Sequence, residues 1–322
     1  MSPGTLAGGL QALAPLFAPL DQALGAKLRS EAHWHADETR WAVFVDREGK
    51  VGHRWYLWVF HSSSVVHYVL DPSRSTAVVQ GELAGVERGF LSCDRYAAYK
   101  KFARLNPGVV LAFCWAHQRR DFLALANDYP EVSPWAVAWA HAIAELYHLN
   151  RLRLQARDGS AERAAHHADL QQAVQRMATQ RDGALADPLL AEPAAKVPQS
   201  MTVHWAGLTV FVDHPEVPMD NNVAERAARL AMVGRKNFYG SGAEWSGQLA
   251  ATLYSLLMTV KLWRLNARTW LRAYRQACAD HGNRAPPDVN AFLPWAMDAA
   301  QLAVMRACPL GARPRTEGFD SA

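Results

Sequence analysis

The chain has 322 residues, of which 50% are hydrophobic and 20% are charged, so it can form one or two globular domains. No run approaches the ~18 apolar residues of a membrane span, and the apolar N-terminus lacks the basic region of a signal peptide. The four cysteines, Cys93, Cys114, Cys278 and Cys308, have no paired spacing, which favours a reducing cytoplasm over a disulfide framework.

The first 125 residues predict a mixed sheet. Residues 1–30 have leucines at helical spacing, and residues 34–45, 53–63 and 65–73 are aromatic and β-branched runs separated by breaks at 47–52 and 62–64. Three strands joined so tightly indicate an antiparallel meander. A helix at 76–83, a strand at 89–94, a helix at 97–105 and a strand at 109–117 follow. This order predicts an α/β fold with an RNase H-like mixed sheet flanked by helices.

The rest of the chain is predominantly helical. Apolar residues at i, i+3, i+4 and i+7 predict an all-helical insertion over 126–205, with breaks at Asp158-Gly159 and at Val197-Pro198. Asn221 and Asn222 are candidate caps for a helix over 223–232. A loop at 240–247 precedes a buried helix at 248–263. The predicted division is therefore 1–30 lead-in, 31–125 first part of the core, 126–205 insertion, 206–280 second part of the core and 281–322 Pro-rich tail.

Basic residues are concentrated in two segments. Residues 95–125 carry six Lys or Arg against one acid, and residues 261–276 carry five against none, within a net charge of only +4. Clustered positive charge is typical of proteins that bind phosphate-bearing partners. A solvated basic face explains the same pattern equally well.

Three acids form a candidate metal site. Asp37 lies in the first predicted strand, Asp94 ends the fourth, and Glu225 lies on the helix after the asparagines. The first and fourth strands of a mixed sheet can be neighbours, and three carboxylates suit a pair of Mg²⁺ ions that act in phosphoryl transfer. Singly, each acid is more typical of a helix cap or a surface position. Spacing alone does not choose Asp37 over Glu38 or Asp46.

Several motifs then occur in order along the chain. They are His35-Ala36-Asp37-Glu38-Thr39, Cys93-Asp94-Arg95-Tyr96-Ala97-Ala98-Tyr99, Cys114-Trp115-Ala116-His117-Gln118-Arg119-Arg120-Asp121-Phe122, Asp220-Asn221-Asn222-Val223-Ala224-Glu225-Arg226, Gly234-Arg235-Lys236-Asn237 with Gly240-Ser241, and Leu293-Pro294-Trp295. Together they resemble the catalytic region of bacterial DDE transposases of insertion-sequence family 66. The resemblance extends from about residue 10 to residue 297.

The resemblance carries specific expectations. It implies that Asp37, Asp94 and Glu225 are the catalytic metal-binding triad, with the helical insertion between Asp94 and Glu225, which are 131 positions apart. It implies two Mg²⁺ ions, with Mn²⁺ as a substitute, and an enzyme that cleaves double-stranded DNA at transposon ends and transfers the strands to target DNA. It also implies a homo-oligomer on DNA, located in the cytoplasm with the nucleoid, since transposition generally requires two ends to be brought together.

The candidate DNA-binding residues surround this triad. Adjacent arginines on a helix suit backbone phosphates, and the cations near Glu225 are suited either to pairing with the acids or to holding DNA. Trp245 is expected to be exposed in the glycine-flanked loop. The predicted DNA-binding residues are His117, Arg119, Arg120, Asn222, Arg226, Arg229, Arg235, Lys236 and Trp245.

Two histidine motifs have competing explanations. The Cys114-x-x-His117 motif is explained most simply by a buried cysteine and a helix-capping histidine. A role for His117 at DNA phosphate or in orienting an active-site group is the second interpretation, and half of a zinc site is the third. The string His33-Trp34-His35-Ala36-Asp37 has the H-x-H-x-D form of some metallohydrolases, but no further histidines occur in comparable turns.

The beginning of the chain departs from the family pattern. Only 36 residues precede Asp37, and no Cys-pair ribbon or helix-turn-helix pattern occurs among them. We therefore expect this sequence to correspond to a catalytic portion. The alternative hypothesis is a catalytically silent relic, or a regulator that occupies DNA ends without cutting them.

Overall fold

A five-stranded mixed sheet forms the centre of the protein. The computed structural model describes residues 2–46 and 52–307. The strands are β1 (His33–Ala42), β2 (Arg54–His61), β3 (Val66–Asp71), β4 (Gly89–Cys93) and β5 (Val109–Phe113), in the order β3-β2-β1-β4-β5. The first three are antiparallel, as expected for short connections, whereas β4 and β5 run parallel to β1 because helices make the crossovers. The predicted α/β class with a mixed sheet flanked by helices is confirmed.

Helices make up most of the remaining described chain. They are α1 (Pro3–Gln11), α2 (Ala14–Arg29), α3 (Thr76–Glu82), α4 (Ala97–Leu105), α5 (Trp115–Asp128), α6 (Ser133–Gln155), α7 (Ala161–Ala186), α8 (Glu192–Asp213), α9 (Asn222–Phe238), α10 (Glu244–Leu262), α11 (Ala267–Asp280) and α12 (Ala299–Arg306). In the described ranges, no helix combines the length and apolarity needed to cross a bilayer.

Apolar side chains cover both faces of the sheet. On one face Trp41 and Leu57 pack with the alanines of α9, which allow that helix to approach closely. On the other face Trp34, Trp58 and Phe60 pack with the leucines of α2 and the aromatic residues of α4. Alternation along β1 therefore divides its side chains between two hydrophobic layers. Burial of both faces fixes the register of β1.

Four consecutive helices, α5 to α8, lie between β5 and α9. Phe122 of α5 stacks on Trp139 of α6 with ring centroids 5.0 Å apart. The buried guanidinium of Arg153 donates to the carbonyls of Phe211 and Val212 and so satisfies the C-terminal end of α8. At Gly207, an added Cβ would lie 2.4 Å from the Phe113 ring, so glycine permits α8 to pack directly on β5.

Several predicted boundaries were wrong. Helical structure begins at Trp115 and continues to Asp213, so the helical segment is longer than 126–205, and Cys114 to His117 enter a helix rather than extend a strand. Val197-Pro198 does not break α8, because Pro198 is buried within it and packing of a 22-residue helix outweighs the ~3 kcal/mol that an interior proline costs. The helix predicted at 223–232 runs on to Phe238.

Two further corrections concern the C-terminal part. Trp245 does not lie in an exposed loop: it occupies the first turn of α10, half-buried against the main core. The predicted tail contains α12, whose Met305 carbonyl accepts a hydrogen bond from the backbone of Asn266. The break predicted at 47–52 falls mostly outside the described residues, as do Cys308 and the end of the tail.

Candidate active site

Asp37 lies in β1, and Asp94 directly follows the neighbouring parallel strand β4. In the register of β1 and β4, His35 is opposite Ser92, and Asp37 and Asp94 each lie two residues beyond that pair along the chain. Asp94 follows the last residue of β4, and its Oδ1 accepts the Tyr96 backbone N–H at 2.8 Å. The sequence prediction that the first and fourth strands are neighbours is confirmed.

Asn221 attaches the start of α9 to β1. Its Nδ2 donates to the Ala36 carbonyl at 2.8 Å, and its Oδ1 accepts a hydrogen bond from His35 Nδ1 at 3.0 Å. Its backbone N–H donates to the Sγ of Cys114 at 3.3 Å, and the residue is 1% exposed. The two strand contacts are to the residues directly before Asp37, so they fix the position of the first turn of α9, which carries Glu225, relative to β1.

The predicted capping by the asparagine side chains was wrong. Asn221 is the N-cap residue of α9, but its side chain makes no cap hydrogen bond because it is engaged by the strand. The Asp220 carboxylate accepts the Asn222 backbone N–H instead, at 3.1 Å. A negative group at a helix N-terminus is also favoured by the helix dipole.

Asp37 lies in an electrostatically unfavourable position. Its burial, together with the negative charges of Glu38, Asp94 and Glu225, raises the pKa of Asp37 to about 7, although the Glu38 backbone N–H donates to its Oδ1 at 2.9 Å. In the described part of the chain, no Lys or Arg forms an ion pair with it. A carboxylate in such surroundings is a good ligand for a cation.

Glu38 is accommodated differently. Its side chain is 2% exposed, and its carboxylate accepts hydrogen bonds from Tyr99 Oη at 2.5 Å and from Arg74 Nε at 2.8 Å. Asp46 is exposed and lies beyond the end of β1. The geometry thus favours Asp37 as the acid available to a ligand, a choice that spacing alone did not make.

Glu225 faces two basic side chains across a cleft. Its Oε1 lies 3.6 Å from His117 Nδ1, and its Oε2 lies 3.9 Å from a terminal nitrogen of Arg120. The cleft has a volume of about 470 Å³. It is lined by Asp37, Glu38, Thr39, His117, Arg120, Asn222, Glu225, Arg226, Arg229 and Met232.

The three acids are not equally close together. Asp37 and Glu225 line the cleft, whereas Asp94 acts on Asp37 through its charge and does not line it. Among the described residues, the potential ligands whose donor atoms all lie within 4.8 Å of one another are Cys114, His117 and Glu225. Asp37, Asp94 and Glu225 do not form a group of this kind.

Comparison with known proteins identifies the family. The model of the "Transposase IS66 family" matches residues 1–249, which is more than half of the chain. The chain belongs to the IS66 transposase family. The resemblance drawn from the sequence motifs is thereby confirmed.

Relatives of this IS66-family chain occur in Sinorhizobium fredii (strain NBRC 101917 / NGR234). "Uncharacterized protein y4jD" is 29% identical over 307 residues, which cover 88% of this chain and 57% of that protein. "Uncharacterized protein y4qI" is 28% identical over 81% of this chain and 50% of its own length. The chain therefore spans about half the length of the curated relatives it matches.

The residues predicted to bind DNA fall into four groups in this IS66-family chain. His117, Arg120, Asn222, Arg226 and Arg229 line the cleft with Asp37 and Glu225. Arg119 lines an adjoining cavity with Tyr147 and Asp220. Arg235 and Lys236 lie in the last turn of α9, where the Arg235 guanidinium donates to the Arg40 carbonyl. Trp245 is packed against the core, so it is not the exposed loop residue that the sequence predicted.

The H-x-H-x-D string does not form a histidine metal site in the described residues. His33 Nε2 is hydrogen-bonded to the Ser92 hydroxyl at 2.8 Å, and His35 is hydrogen-bonded to Asn221. Burial lowers the pKa of both imidazoles, that of His33 to about 4. Their ring nitrogens are therefore used to position neighbouring groups, and neither belongs to a metal-ligand group.

Sequence reasoning missed Arg74 and Tyr99. Both contact the Glu38 carboxylate, although Arg74 is 36 positions from it and Tyr99 is 61 positions away. No spacing rule connects residues that far apart, because the contact depends on how α4 and the segment after β3 pack on β1. The bond from Asn221 to β1 was missed for the same reason.

Proposed function

We propose that this chain carries the catalytic part of a DDE transposase that cleaves DNA and transfers the cut strands, in a reaction that requires divalent metal ions. The observation that carries the proposal is that Asp37 and Asp94 each lie two residues beyond a residue pair of the adjacent strands β1 and β4, with Asp37 in the same cleft as the helix-borne Glu225. Family membership supports it, and the strand order β3-β2-β1-β4-β5 agrees with an RNase H-like core.

The donor atoms suit hard divalent cations. Asp37, Asp94 and Glu225 would hold two Mg²⁺ ions, or Mn²⁺ in their place, because these ions prefer oxygen ligands. Two features agree with this assignment: Glu225 Oε1 is buried without a hydrogen-bond partner, and Asp37 is crowded by like charges. When bound, such ions activate the attacking oxygen and stabilise the leaving oxygen in an in-line displacement at phosphorus.

The other cleft residues would hold double-stranded DNA. Arg120, Arg226 and Arg229 present guanidinium groups suited to bidentate contact with phosphates, and they balance the charge of the acids. The N-terminal end of α9 adds a favourable dipole for an anion. Glu38, held by Arg74 and Tyr99, would keep the floor of the cleft rigid.

In the proposed reaction, water attacks phosphorus at a transposon end and the bond to the 3′-oxygen breaks. The freed 3′-hydroxyl then attacks a phosphorus of target DNA, forms a bond to it and displaces the 3′-oxygen of the adjacent target nucleotide, and no covalent protein intermediate forms. We propose that this occurs in a homo-oligomer on DNA, since both ends must be held together. The cytoplasm, in association with the nucleoid, is the compartment where the substrate lies.

Nicking of supercoiled plasmid in Mg²⁺ or Mn²⁺ tests the proposal. We expect Asp37→Asn, Asp94→Asn and Glu225→Gln each to lower nicking at least about hundredfold, since even loss of a partner outside the ligand shell costs 10- to 100-fold. Asp46→Asn is the matched control, because Asp46 is exposed beyond the end of β1, and it should nick like the unchanged protein.

Two outcomes would refute this function. Full nicking by any one triad variant would show that the acids are wrongly assigned. DNA retention in EDTA, without cutting in either metal, would instead support a silent relic or a regulator that occupies DNA.

A further inference from the structure

Cys114, His117 and Glu225 form a compact group beside the triad. One ligand atom from each lies within 4.8 Å of the other two. Cys114 and His117 belong to the start of α5, and Glu225 belongs to the first turn of α9. The two helix starts meet because the Asn221 backbone N–H donates to the Cys114 sulfur.

The surroundings of Cys114 suit a metal-bound thiolate. Burial raises the pKa of the Cys114 thiol, and three backbone N–H groups oppose that rise: the Asn221 N–H, which donates to Sγ at 3.3 Å, and those of Ala116 and His117 at the helix N-terminus. Such donors stabilise negative charge on sulfur. Cys114 is only 3% exposed, so bulk solvent has little access to its sulfur.

His117 and Glu225 each present an unsatisfied atom to this position. His117 Nδ1 and Glu225 Oε1 are both buried without a hydrogen-bond partner. They face each other at 3.6 Å, which is too long for a good hydrogen bond. Buried polar atoms normally have hydrogen-bond partners. Two neighbouring buried atoms that could both bind a metal ion, and that have no such partner, therefore require an explanation.

We propose that Cys114, His117 and Glu225 bind one transition-metal ion, with Zn²⁺ the best match and a water or substrate oxygen as fourth ligand. Three protein ligands with one open position are typical of catalytic zinc sites. Thiolate and imidazole select such ions over Mg²⁺, which prefers oxygen alone. The inference rests on the proposed function only in that Glu225 belongs to both donor sets.

Sharing of Glu225 has a consequence for metal selection. A carboxylate drawn towards Cys114 and His117 is less available to the site of Asp37 and Asp94. Zn²⁺ bound by the Cys-His-Glu group should therefore lower nicking that depends on Mg²⁺. Removal of the Cys114 thiol should relieve that inhibition at low Zn²⁺ concentrations.

Titration of the metal-free full chain with Co²⁺, a spectroscopic substitute for Zn²⁺, tests the site. We expect one equivalent to produce the near-ultraviolet charge-transfer band of a cobalt–thiolate bond. Cys114→Ser should abolish the band, and His117→Gln should weaken Co²⁺ and Zn²⁺ binding at least about tenfold. Asp37→Asn should leave the band unchanged, because Asp37 lies outside the group.

Cys278→Ser is the matched control. Cys278 is also a buried free thiol, but it lies in α11 against Tyr274. The inference is overturned if the band is absent from the unchanged protein, if Cys278→Ser removes it, or if folded Cys114→Ser and His117→Gln bind Co²⁺ as tightly as before. Circular dichroism establishes that each variant is folded.

The two proposals fail in different ways. Mg²⁺-dependent nicking without the cobalt–thiolate band would overturn the zinc site and leave the proposed function standing. The band without any nicking in Mg²⁺ or Mn²⁺ would overturn the proposed function and leave the zinc site standing.

Discussion

Asp37 combines a role in the proposed chemistry with a penalty for folding. Its pKa is raised by burial and by neighbouring carboxylates to about 7, which means that ionisation opposes the folded state. For a carboxyl group with a raised pKa, stability falls as pH rises from the unfolded value of 3.8 through 7. Function and stability therefore conflict at this residue.

Asp37→Asn should make the metal-free protein more stable. At pH 8 in EDTA we expect the free energy of unfolding to rise by on the order of 2 kcal/mol, because the substitution removes the buried charge. The gain should disappear as pH falls below the unfolded pKa of 3.8, because the carboxyl group is then protonated in both states. Urea denaturation measures both values, with Asp46→Asn as the unchanged control. A less stable variant at pH 8 would contradict this interpretation.

At the residue scale, the sequence predicted which type of residue forms the site, but it did not predict which of two adjacent acids is available to a ligand. The sequence identified Asp37, Asp94 and Glu225 as an acidic set, yet it could not separate Asp37 from Glu38. That choice depends on Arg74 and Tyr99, which donate hydrogen bonds to the Glu38 carboxylate from distant parts of the chain. Trp245 was misjudged because glycines flank it, whereas tertiary packing extends α10 through that segment.

Among the elements, α9 is positioned mainly through Asn221. The side chain of this residue bridges the helix start to the strand that carries Asp37. Without the bridge, the Ala36 carbonyl and His35 would lose buried hydrogen bonds. Glu225, four residues along the helix, would then be free to move relative to β1.

Asn221→Ala should lower the nicking rate even under conditions where the variant remains folded. We expect a stability loss of about 1–3 kcal/mol from unsatisfied buried groups. Metal-dependent nicking should fall at least about tenfold at temperatures where the variant is folded, since small misplacements of reacting groups are costly. Plasmid nicking and urea denaturation measure the two effects.

Asn266→Ala separates positioning from stability. Asn266 caps α11 by accepting the backbone N–H groups of Arg268 and Thr269, so its loss should cost about 1 kcal/mol. It should leave nicking intact. Equal loss of nicking in both variants would show that Asn221 acts only through global stability.

A buried histidine links three other elements. Burial alone would lower the pKa of His67 in β3, but Asp21 of α2 and Glu82 of α3 outweigh it and raise the pKa to about 9. A raised histidine pKa gives stability that is fully present below pH 6.5 and is lost as pH rises through 9. The charged imidazole therefore ties α2 and α3 to the sheet at neutral pH.

The pH dependence of unfolding tests this link. The difference in unfolding free energy between the unchanged protein and His67→Gln should be largest at pH 6 and should shrink by up to about 3 kcal/mol at pH 10. Urea denaturation across this range measures it. A difference that stays constant with pH would show that His67 is neutral in the fold.

Most elements were predictable because their signals are local. The strands follow from alternating aromatic and β-branched residues, and α4 was predicted at the residues where it occurs. Pro198 gave the opposite result, because local propensity argued for a break that the packing of α8 overrides. The prediction of a side-chain cap for α9 was wrong for a similar reason, because the Asn221 side chain is hydrogen-bonded to the distant strand β1.

In the whole molecule, distant segments meet at the base of the helices α5 to α8. The Trp115 backbone N–H donates to the Met219 carbonyl at 2.9 Å, and the Trp115 indole donates to the Leu208 carbonyl at 2.5 Å. The segment that separates Asp94 from Glu225 therefore begins and ends at adjacent points. The hydrophobic periodicity of this segment predicted its helices. It could not predict that the two ends of the segment meet, which is what brings α9 back to β1.

The central claim is that Asp37, Asp94 and Glu225 hold divalent ions together, and anomalous diffraction from crystals soaked in Mn²⁺ tests it most directly. We predict two anomalous peaks about 4 Å apart that are contacted by the three carboxylates. Peaks that touch neither Asp37 nor Asp94, with Mn²⁺ bound elsewhere on the chain, would contradict the claim.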